Sequence, residues 1–556
     1  MNGADAPGSG RGVRWALCAV MCVWVFAFTP EPLVIATLPA MVAGLALVER
    51  CTRFRQAALH LAVVGAIAIG IGYSWLAQTV RSFGHLGVPD SWAVLALFGA
   101  LGTVHGIVFA GLYRLLLRPA RRPHPLVTCV LFVACEALPI RFLAWTAGNG
   151  AVDVAPLRQA AEWGGVLGVS FGLVCLVVPF HEWLRWAFGS SPGAPPARPK
   201  AALVTLLVGA AIYGAGWVRL AAVSAEEREA TNGVTVGIAQ GNIGSDEKRE
   251  GENRGGQKAI DSRNAYRRTT AKCVEKGAEL IVWPESVIDG TAGDSIRVWN
   301  PLARRPRDPS AIQADLARLG YGYVEEFGRD RAILLGGWEH ERRPENVVGA
   351  ITTDRYNAAM LREAGGREWS LYRKVKLIPF GEWMPLSDLI PSLKGMLPQQ
   401  APVTAGTLPQ PPLLWKARNL RIATFICYEA IFPGFVRELV GDERPDLLVN
   451  LTNDSWYGDT WEPMQHLNFS RLRAVEHRCP MVRATNTGIS AFVDSTGEVI
   501  DRLPYDTKGA LVRRLPLVPR EPTPFERFGH LAPWALWAFS LLAVLGARLR
   551  PARRAA

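Results

Sequence analysis

The sequence predicts a polytopic α-helical membrane domain of about eight spans combined with an α/β domain, and three observations lead to this fold class. First, hydrophobic residues make up 49% and charged residues 20% of the 556 residues, and the mean hydropathy is +0.12, which is too apolar for a purely soluble enzyme. Second, long apolar stretches lie near both ends of the chain. Third, the sequence of region 232–518 contains no such stretch, and its short strand-like runs alternate with polar loops.

The apolar stretches define the predicted spans. A helix needs about 20 mostly apolar residues to cross a bilayer, because lipid offers no hydrogen-bond partner to exposed backbone. The stretches that meet this requirement lie at about 14–29, 32–48, 57–79, 91–117, 126–146, 164–187, 202–222 and 531–548. We therefore expect a membrane domain of about seven helices at 1–228, an α/β domain at 229–520, and a final transmembrane helix with a basic tail at 521–556.

Two alternatives concern the first spans. They are short and are joined by the tight turn Thr29-Pro30-Glu31-Pro32, so a re-entrant pair is also compatible with the sequence. A cleavable signal peptide is the other alternative, but no small-residue cleavage site follows the first apolar run and further spans come directly after it. We expect a retained first helix.

Arginine and lysine concentrate in every second loop between the predicted spans. Cytoplasmic loops carry this excess in membrane proteins, so the alternation predicts cytoplasmic termini and an α/β domain on the opposite side. The net charge of +12 is accounted for by these loops, and we expect no nucleic-acid partner. Nine cysteines exclude a disulfide-rich scaffold, and the sequence holds no zinc-ligand spacing, P-loop or dinucleotide fingerprint.

A glutamate follows the second strand-like run of the α/β domain. The runs Val234–Ala239 and Glu279–Trp283 read as buried strands, and the second is followed directly by Pro284-Glu285-Ser286. A carboxylate at the carboxyl end of a buried strand lies where α/β domains build their sites, and partial burial raises its pKa toward the range useful for proton transfer. In isolation, a helix N-cap or a surface position is the more common explanation for this residue.

A lysine and a cysteine follow later strand-like runs. Lys374 precedes a Pro-Phe-Gly-Glu turn and would be a fixed cation if it points inward, although such a lysine is more commonly a solvated surface charge. Cys427 lies near the end of the run Leu420–Tyr428, at a strand-to-helix turn where backbone N–H groups and the helix dipole favour a thiolate. A buried small hydrophobe is the alternative for this cysteine.

These three residues resemble a known constellation when their order is considered. A strand-end Glu, a Lys before a Pro-Phe-Gly-Glu turn and a Cys-Tyr-Glu elbow resemble the nitrilase, or carbon–nitrogen hydrolase, superfamily. The resemblance implies an α-β-β-α sandwich and a catalytic triad of Glu285, Lys374 and Cys427, without metal or cofactor. It also assigns supporting or binding positions to Glu382, Glu429, Tyr428, Asn357 and Trp456.

The membrane spans narrow the resemblance to the bacterial apolipoprotein N-acyltransferase family, in which a nitrilase-like domain lies between spans seven and eight. The likeness covers nearly the whole chain, and its motifs are Gln240-Gly241-Asn242-Ile243, Trp283-Pro284-Glu285-Ser286, Tyr356-Asn357, Lys374–Glu382, Cys427-Tyr428-Glu429, Asn453–Gly458, Gln465-His466, Arg471–Glu476, Arg483–Gly488, Thr523–Gly529 and Gly165–Phe171. The resemblance implies acyl transfer from a phospholipid, through a Cys427 thioester, to the α-amino group of the N-terminal diacylglyceryl-cysteine of an apolipoprotein. It also implies a bacterial inner-membrane location with a periplasmic catalytic domain, and we expect a monomer.

The sequence departs from the family pattern in two places. The family usually has a tryptophan on the loop that follows Gln-Gly-Asn-Ile, whereas the corresponding position here is near Arg249, in a charged stretch. The Glu-x-x-Arg pattern expected at the fifth span is stretched to Glu136 and Arg141, which we expect either near lipid head groups or in a structural ion pair.

An apolar segment follows the Pro-Phe-Gly-Glu turn. It runs from Trp383 to Leu397, contains prolines and few charges, and carries Leu386, Leu389, Ile390 and Leu393. We expect an arm that dips into the outer leaflet beside the active site, and the alternative is an ordinary buried loop.

Two other functions remain compatible with the residues. A membrane-tethered amidase of the nitrilase type would use the same triad with water as the acceptor. A membrane transporter or scaffold with an inactive appended domain belongs to a different class, but the three intact triad residues and the scarcity of charges within the spans argue against it.

Overall fold

The fold is described from a computed structural model, which covers residues 9–84, 87–117, 122–139, 145–188, 197–243, 257–288, 322–344, 351–366, 369–384, 389 and 403–549. The chain divides into two compact units. The first comprises 1–81, 86–222 and 523–556, and the second comprises 82–85 and 223–522. The strands that the structure describes all belong to the second unit.

Apolar helices make up the first unit. They are α1 (Ser9–Cys22), α2 (Thr37–Arg50), α3 (Phe54–Gly72), α4 (Trp75–Gly84), α5 (Val88–Gly102), α6 (Val104–Leu116), α7 (Pro125–Glu136), α8 (Ala155–Arg158), α9 (Ala161–Ala187) and α10 (Pro199–Glu229), followed after the second unit by Pro524–Phe528 and Ala532–Leu549. Their apolar composition favours helices that satisfy their own backbone hydrogen bonds in lipid.

Six of these helical segments are long and apolar enough to cross a membrane, within the part of the chain that the structure describes. They are Arg11–Phe28, Phe54–Gly72, Val88–Leu116, Ala161–Ala187, Pro199–Glu229 and Ala532–Leu549. The stretches at about 32–48 and 126–146 correspond instead to the shorter helices α2, of 14 residues, and α7, of 12 residues. The predicted fold class is confirmed, with an approximate span count.

Small residues allow two of the membrane helices to approach closely. A Cβ atom built on Gly65 of α3 would lie 2.6 Å from the backbone oxygen of Gly99 of α5, and a Cβ atom on Gly99 would lie 2.6 Å from the backbone oxygen of Gly65. Small residues commonly permit this kind of backbone contact between helices in membranes.

A buried ion cluster joins the ends of several helices in the first unit. The Glu49 carboxylate at the end of α2 accepts hydrogen bonds from the Tyr113 hydroxyl at 2.9 Å and the Arg185 guanidinium at 2.8 Å, and it pairs with Arg122. Arg122 also donates to Glu182 of α9 at 2.8 Å. Because each buried charge has a partner, the cluster ties α2, α6 and α9 together without an isolated charge.

Within the described residues, the second unit contains two six-stranded sheets. The strands are β1 (Gly233–Gln240), β2 (Leu280–Val282), β3 (Ala332–Pro344), β4 (Ile351–Arg362), β5 (Trp369–Arg373), β6 (Leu413–Trp415), β7 (Leu420–Ile426), β8 (Leu447–Thr452), β9 (Met481–Thr485), β10 (Ala491–Val493), β11 (Val499–Arg502) and β12 (Gly509–Pro516). One sheet has the order β12-β1-β2-β3-β4-β5, and the other has the order β11-β10-β9-β8-β7-β6.

The main hydrophobic core of this unit lies between the two sheets, since it combines buried residues such as Val236 and Leu334 of the first sheet with Phe425 and Leu448 of the second. A second core covers the other face of the first sheet and includes residues of helices α11 (Gln257–Glu275) and α12 (Tyr323–Phe327). Helices α13 (Pro433–Val440) and α14 (Glu462–His477) belong to the second sheet's side. The resulting architecture is an α-β-β-α sandwich, as predicted.

Candidate active site

The residues of the predicted triad lie after three strands of the sandwich. β2 and β3 are parallel, and β5 returns to the same direction through two antiparallel pairings, so β2 and β5 end at the same edge of their sheet. Glu285 follows β2 and Lys374 follows β5 directly. Cys427 follows β7, which lies in the other sheet.

The backbone after β2 fits tightly against β3. The N–H of Gly336 donates to the carbonyl of Pro284 at 3.2 Å, and a Cβ atom on Gly336 would lie 2.7 Å from the Cα atom of Glu285. Ser286 has a positive φ of 54°, which turns the chain immediately after the glutamate. A side chain at position 336 would therefore displace the segment that carries Glu285.

Lys374 is completely buried and lies between two carboxylates. Its ammonium group is 3.3 Å from Glu285 Oε1 and 2.9 Å from Glu382. Burial by itself would lower the pKa of Lys374, but the negative charges of Glu285 and Glu382 raise it above its ordinary value. Lys374 is thus a fixed cation.

Asn357 of β4 holds the two carboxylates in place. Its side-chain amide donates to Glu285 Oε1 at 2.6 Å and to Glu382 Oε1 at 3.2 Å. The backbone carbonyl of the same residue accepts a hydrogen bond from the N–H of Lys374 at 2.8 Å. Burial raises the pKa of Glu285 above its ordinary value, and the nearby ammonium group and amide oppose this rise.

Cys427 begins a short 3₁₀ turn, Cys427–Ile431, in a left-handed conformation with φ of 51°. Such a conformation costs a non-glycine residue about 1–2 kcal/mol, so the surroundings must hold the turn in place. Burial and the charges of Glu285 and Asp454 raise the pKa of the thiol well above its ordinary value, although Lys374 opposes them.

The expectation that this turn favours a thiolate is therefore wrong. Cys427 is the first residue of a five-residue 3₁₀ turn and does not stand at the start of a long helix. The effect of burial next to carboxylates on the pKa of the thiol outweighs the opposite effect of Lys374. A neutral buried thiol needs a base to remove its proton during attack.

Glu429 links the two sheets beside the site. Its Oε1 accepts hydrogen bonds from the backbone N–H groups of Val375 at 2.6 Å and Lys376 at 3.0 Å, directly after Lys374. Its Oε2 accepts from the Tyr372 hydroxyl and from the N–H of Ile426, both at 2.7 Å. Burial raises the pKa of Glu429 to about 7, and the four hydrogen bonds oppose this rise. One carboxylate thus fixes the segment carrying Lys374 against the turn carrying Cys427.

A buried group on the other side of Cys427 was not assigned any role by the sequence. His466 of α14 lies 3.1 Å from the carbonyl oxygen of Cys427 through Nε2 and 3.1 Å from Asp454 Oδ1 through Nδ1. Arg483 donates to Asp454 Oδ2 at 2.9 Å. The signal in the sequence was a histidine and an aspartate inside family motifs, but their meeting required the positions of two strands and a helix.

The same group contains a possible ligand set for a metal ion. One atom each of Asp454, Glu462 and His466 lies within 4.8 Å of the others. Nδ1 of His466 faces Asp454 Oδ1 at 3.1 Å and Glu462 Oε1 at 3.4 Å. A cation bound by these three atoms would replace the hydrogen bond between Nδ1 and Asp454.

The remaining predicted site residues are less closely tied to this centre. Tyr428 is half-buried, and its ring packs edge-on against Phe432 with centroids 4.8 Å apart. Trp456 is half-buried in the 3₁₀ turn that begins at Asp454. Glu136 accepts a hydrogen bond from the N–H of Ala147 at 2.7 Å.

Parts of the predicted apolar arm can be located. Leu389 is 84% exposed, and the side chains of Phe380 and Trp383 are also exposed, to a smaller extent. The positions of Leu386, Ile390 and Leu393 lie outside the described residues, as do Arg141 and the loop around Arg249.

Fold and site together define a member of the carbon–nitrogen hydrolase class. The family model described as carbon–nitrogen hydrolase matches residues 235–524, and the model of the apolipoprotein N-acyltransferase N-terminal domain matches residues 21–178. The chain belongs to the apolipoprotein N-acyltransferase family. With its apolar helices, it is a multi-pass membrane protein.

Relatives of that name match most of the chain. An apolipoprotein N-acyltransferase from Bradyrhizobium diazoefficiens is 31% identical over 74% of this chain and 70% of its own length. Those from Azotobacter vinelandii and Bdellovibrio bacteriovorus are 29% and 27% identical, over 85% and 86% of this chain and 82% and 83% of their own lengths. Among solved structures, an amidase from Nesterenkonia sp. is 20% identical over 52% of this chain and 93% of its own, with a TM-score of 0.33.

Proposed function

We propose that this protein is an apolipoprotein N-acyltransferase that transfers an acyl chain from a phospholipid to the α-amino group of the N-terminal diacylglyceryl-cysteine of an apolipoprotein. The observation that carries the proposal is the buried Lys374 between Glu285 and Glu382, in electrostatic contact with Cys427, within a chain of this family. Glu285, Lys374 and Cys427 are the proposed catalytic residues.

In the first half-reaction, the sulfur of Cys427 attacks the ester carbonyl of the phospholipid. Because the thiol is neutral, Glu285 accepts its proton as the carbon–sulfur bond forms. The tetrahedral intermediate collapses, the ester carbon–oxygen bond breaks, and Glu285 returns the proton to the leaving oxygen. The products are an acyl thioester and a lysophospholipid.

In the second half-reaction, the amine of the lipoprotein attacks the thioester carbonyl. Glu285 takes a proton from the amine, and the sulfur leaves and recovers a proton. Lys374 stabilises the oxyanion in both halves, together with a backbone N–H near Tyr428. One such preorganised donor typically contributes about 3–4 kcal/mol to the transition state. Glu382 and Asn357 are positioning residues, because they orient Lys374 and Glu285.

The apolar arm is proposed to bring the site to the lipid. Drawing an acyl chain into water costs about 0.8 kcal/mol per methylene group, so a membrane-seated thiol avoids most of that cost. The exposure of Phe380, Trp383 and Leu389 supports this role, since large apolar side chains beside a site favour contact with lipid. We propose the same role for Leu386, Ile390 and Leu393.

The double variant Leu389→Asp and Ile390→Asp tests the arm. Turnover of phospholipid in vesicles should fall at least about 10-fold, since charge opposes insertion. The matched control is Ile500→Asp, at an exposed apolar position on β11, which should leave turnover unchanged. Equal turnover by the arm variant and the control would contradict this role.

We also propose that the protein is a monomer of the bacterial inner membrane with cytoplasmic termini and a periplasmic catalytic domain at 229–520. The basic loops support this orientation. Green fluorescent protein fused after residue 556 should fluoresce, and alkaline phosphatase fused after residue 230 should be active. The opposite pair of results would contradict the orientation.

A transfer assay tests the reaction itself. Purified protein in vesicles with acyl-labelled phospholipid and a diacylated lipopeptide should move the label into an amide at the peptide's N-terminus, and Cys427→Ala should not. Label appearing only as free fatty acid would instead indicate water as the acceptor. The comparisons give no support to that amidase alternative.

A further inference from the structure

We propose that His466 is a positioning residue, whose Nε2–H holds the carbonyl group of Cys427 and so keeps the nucleophile's turn in its left-handed conformation. This inference rests on the proposed role of Cys427 as the nucleophile. His466 does not contact Glu285 or Lys374 through any hydrogen bond that the described residues show.

The partners of His466 identify its protonation state. A backbone carbonyl can only accept, so Nε2, 3.1 Å from the Cys427 oxygen, must carry a proton. Nδ1 lies 3.1 Å from Asp454 Oδ1, and Arg483 and His466 lower the pKa of Asp454 although burial opposes them, so this carboxylate is ionised. Nδ1 must therefore donate as well, and a ring that donates from both nitrogens is an imidazolium.

The charges around the ring support this state. Asp454 and Glu462 face it, with Glu462 Oε1 3.4 Å from Nδ1, while Arg483 is the opposing cation behind Asp454. Burial and Arg483 lower the pKa of His466, but hydrogen bonds to Asp454 and Glu462 and the charge of Asp454 raise it overall. The neighbouring phenol of Tyr457 is neutral, because burial raises its pKa well above the ordinary value.

The Asp454 side chain that anchors this ring is itself immobilised. Arg483 donates to Asp454 Oδ2 at 2.9 Å and to Asn450 Oδ1 at 2.5 Å, which fixes the guanidinium to β8. Gly488 packs so closely that a Cβ atom there would lie 2.8 Å from the Cβ atom of Asp454. His466 and Asp454 thus connect the Cys427 carbonyl to the second sheet and fix its orientation.

The test compares two neutral substitutions that retain different contacts. The amide of His466→Gln reaches the position of Nε2, whereas that of His466→Asn reaches only that of Nδ1. With acyl-labelled phospholipid vesicles, His466→Asn should lower kcat for thioester formation about 100-fold at unchanged KM, since small misplacement of a reacting group has effects of this size. His466→Gln should retain more of kcat than His466→Asn, because its amide can still donate to the Cys427 carbonyl.

Glu462→Gln provides a second variant should both histidine variants fail to fold. Replacing one of the two acids that face Nδ1 should lower kcat for thioester formation at unchanged KM, because it loosens the ring that holds the Cys427 carbonyl. An unchanged kcat in Glu462→Gln, or equal kcat values for the Gln and Asn variants of His466, would overturn the proposal.

A metal-bound site is the rival result. Stoichiometric metal in the purified protein, with activity lost to a chelator and restored by that metal, would show that His466 is a ligand instead. Failure of the wild type to form any Cys427 thioester would contradict the proposed function itself. A normal wild type with unaffected variants would contradict only the role of His466.

Discussion

At the scale of single residues, burial and pairing set the charge of each proposed catalytic group. Cys427 is a neutral thiol because burial and nearby acids raise its pKa, while Lys374 stays charged between Glu285 and Glu382. Glu285 combines a raised pKa with contact to the ammonium group, so it can accept and return a proton. The chemistry thus depends on a base acting together with the attack rather than on a preformed thiolate.

A pH dependence follows from Glu285. It must be ionised to accept the thiol proton, and its folded pKa is raised above the ordinary value for Glu. The rate of acyl-enzyme formation should therefore decline with falling pH already above the usual range of a glutamate. Glu285→Gln should lower this rate about 10²–10⁴-fold at pH values where Glu285 is ionised, and the difference should shrink as the pH falls. Rapid-quench measurement of the thioester checks both expectations, and an exposed control, Glu443→Gln, should retain the wild-type profile.

Glu429 provides a prediction about stability as well as activity. In Glu429→Gln the new NH₂ group faces N–H or O–H donors, so buried donors lose their acceptor, at about 1–3 kcal/mol for each. Thermal unfolding should shift to lower temperature and the acylation rate should fall, whereas Glu443→Gln should change neither. An unfolding temperature unchanged from the wild type would show that the carboxylate does not join the sheets.

The sequence predicted the triad from three residues that follow strands, from their order and from the family resemblance that this order carries. It assigned Glu429 a supporting position but not its contacts, since the four donors come from two segments about 50 residues apart in sequence. The role of His466 could not be predicted either. Its partner, the Cys427 carbonyl, lies 39 residues away in the sequence, and a backbone acceptor gives no sequence signal.

At the scale of elements, the strands were predicted where they are apolar throughout. The runs at Val234–Ala239 and Glu279–Trp283 correspond to β1 and β2. The strand β4, which carries the motif Tyr356-Asn357, begins earlier, at Ile351, because it pairs with the extended β3 along polar residues that give no apolar signal. The length of the fifth predicted span was likewise overestimated, because the apolar stretch at about 126–146 corresponds to α7, which ends at Glu136.

The close fit of β3 against the segment after β2 gives an element-level prediction. Gly336→Ala would push a Cβ atom against Glu285, so kcat should fall by up to about 10²-fold with little change in KM. The matched control is Gly434→Ala in α13, where no atom lies within 4 Å of the new Cβ position. Steady-state kinetics should separate the two variants, and equal kcat values would show that β3 does not position the glutamate.

At the scale of the whole molecule, the two compact units correspond to the two regions of different composition in the sequence. Apolar residues concentrate in the helical unit, and the strand-forming residues with all three proposed catalytic groups lie in the other. That segregation predicted the fold class, and the order of Glu, Lys and Cys predicted the family. The orientation in the membrane stays a prediction, because basic loops indicate it only statistically.

The most direct test of the central claim is mass spectrometry of the peptide that contains Cys427 after incubation with acyl-labelled phospholipid in the absence of a lipoprotein acceptor. The account predicts an acyl thioester on Cys427 that disappears when a diacylated lipopeptide is added. It also predicts no thioester in Cys427→Ala and an unchanged thioester in Cys479→Ala, whose sulfur is buried beside Pro445. Active protein that carries no acyl group on Cys427 under these conditions would contradict the account.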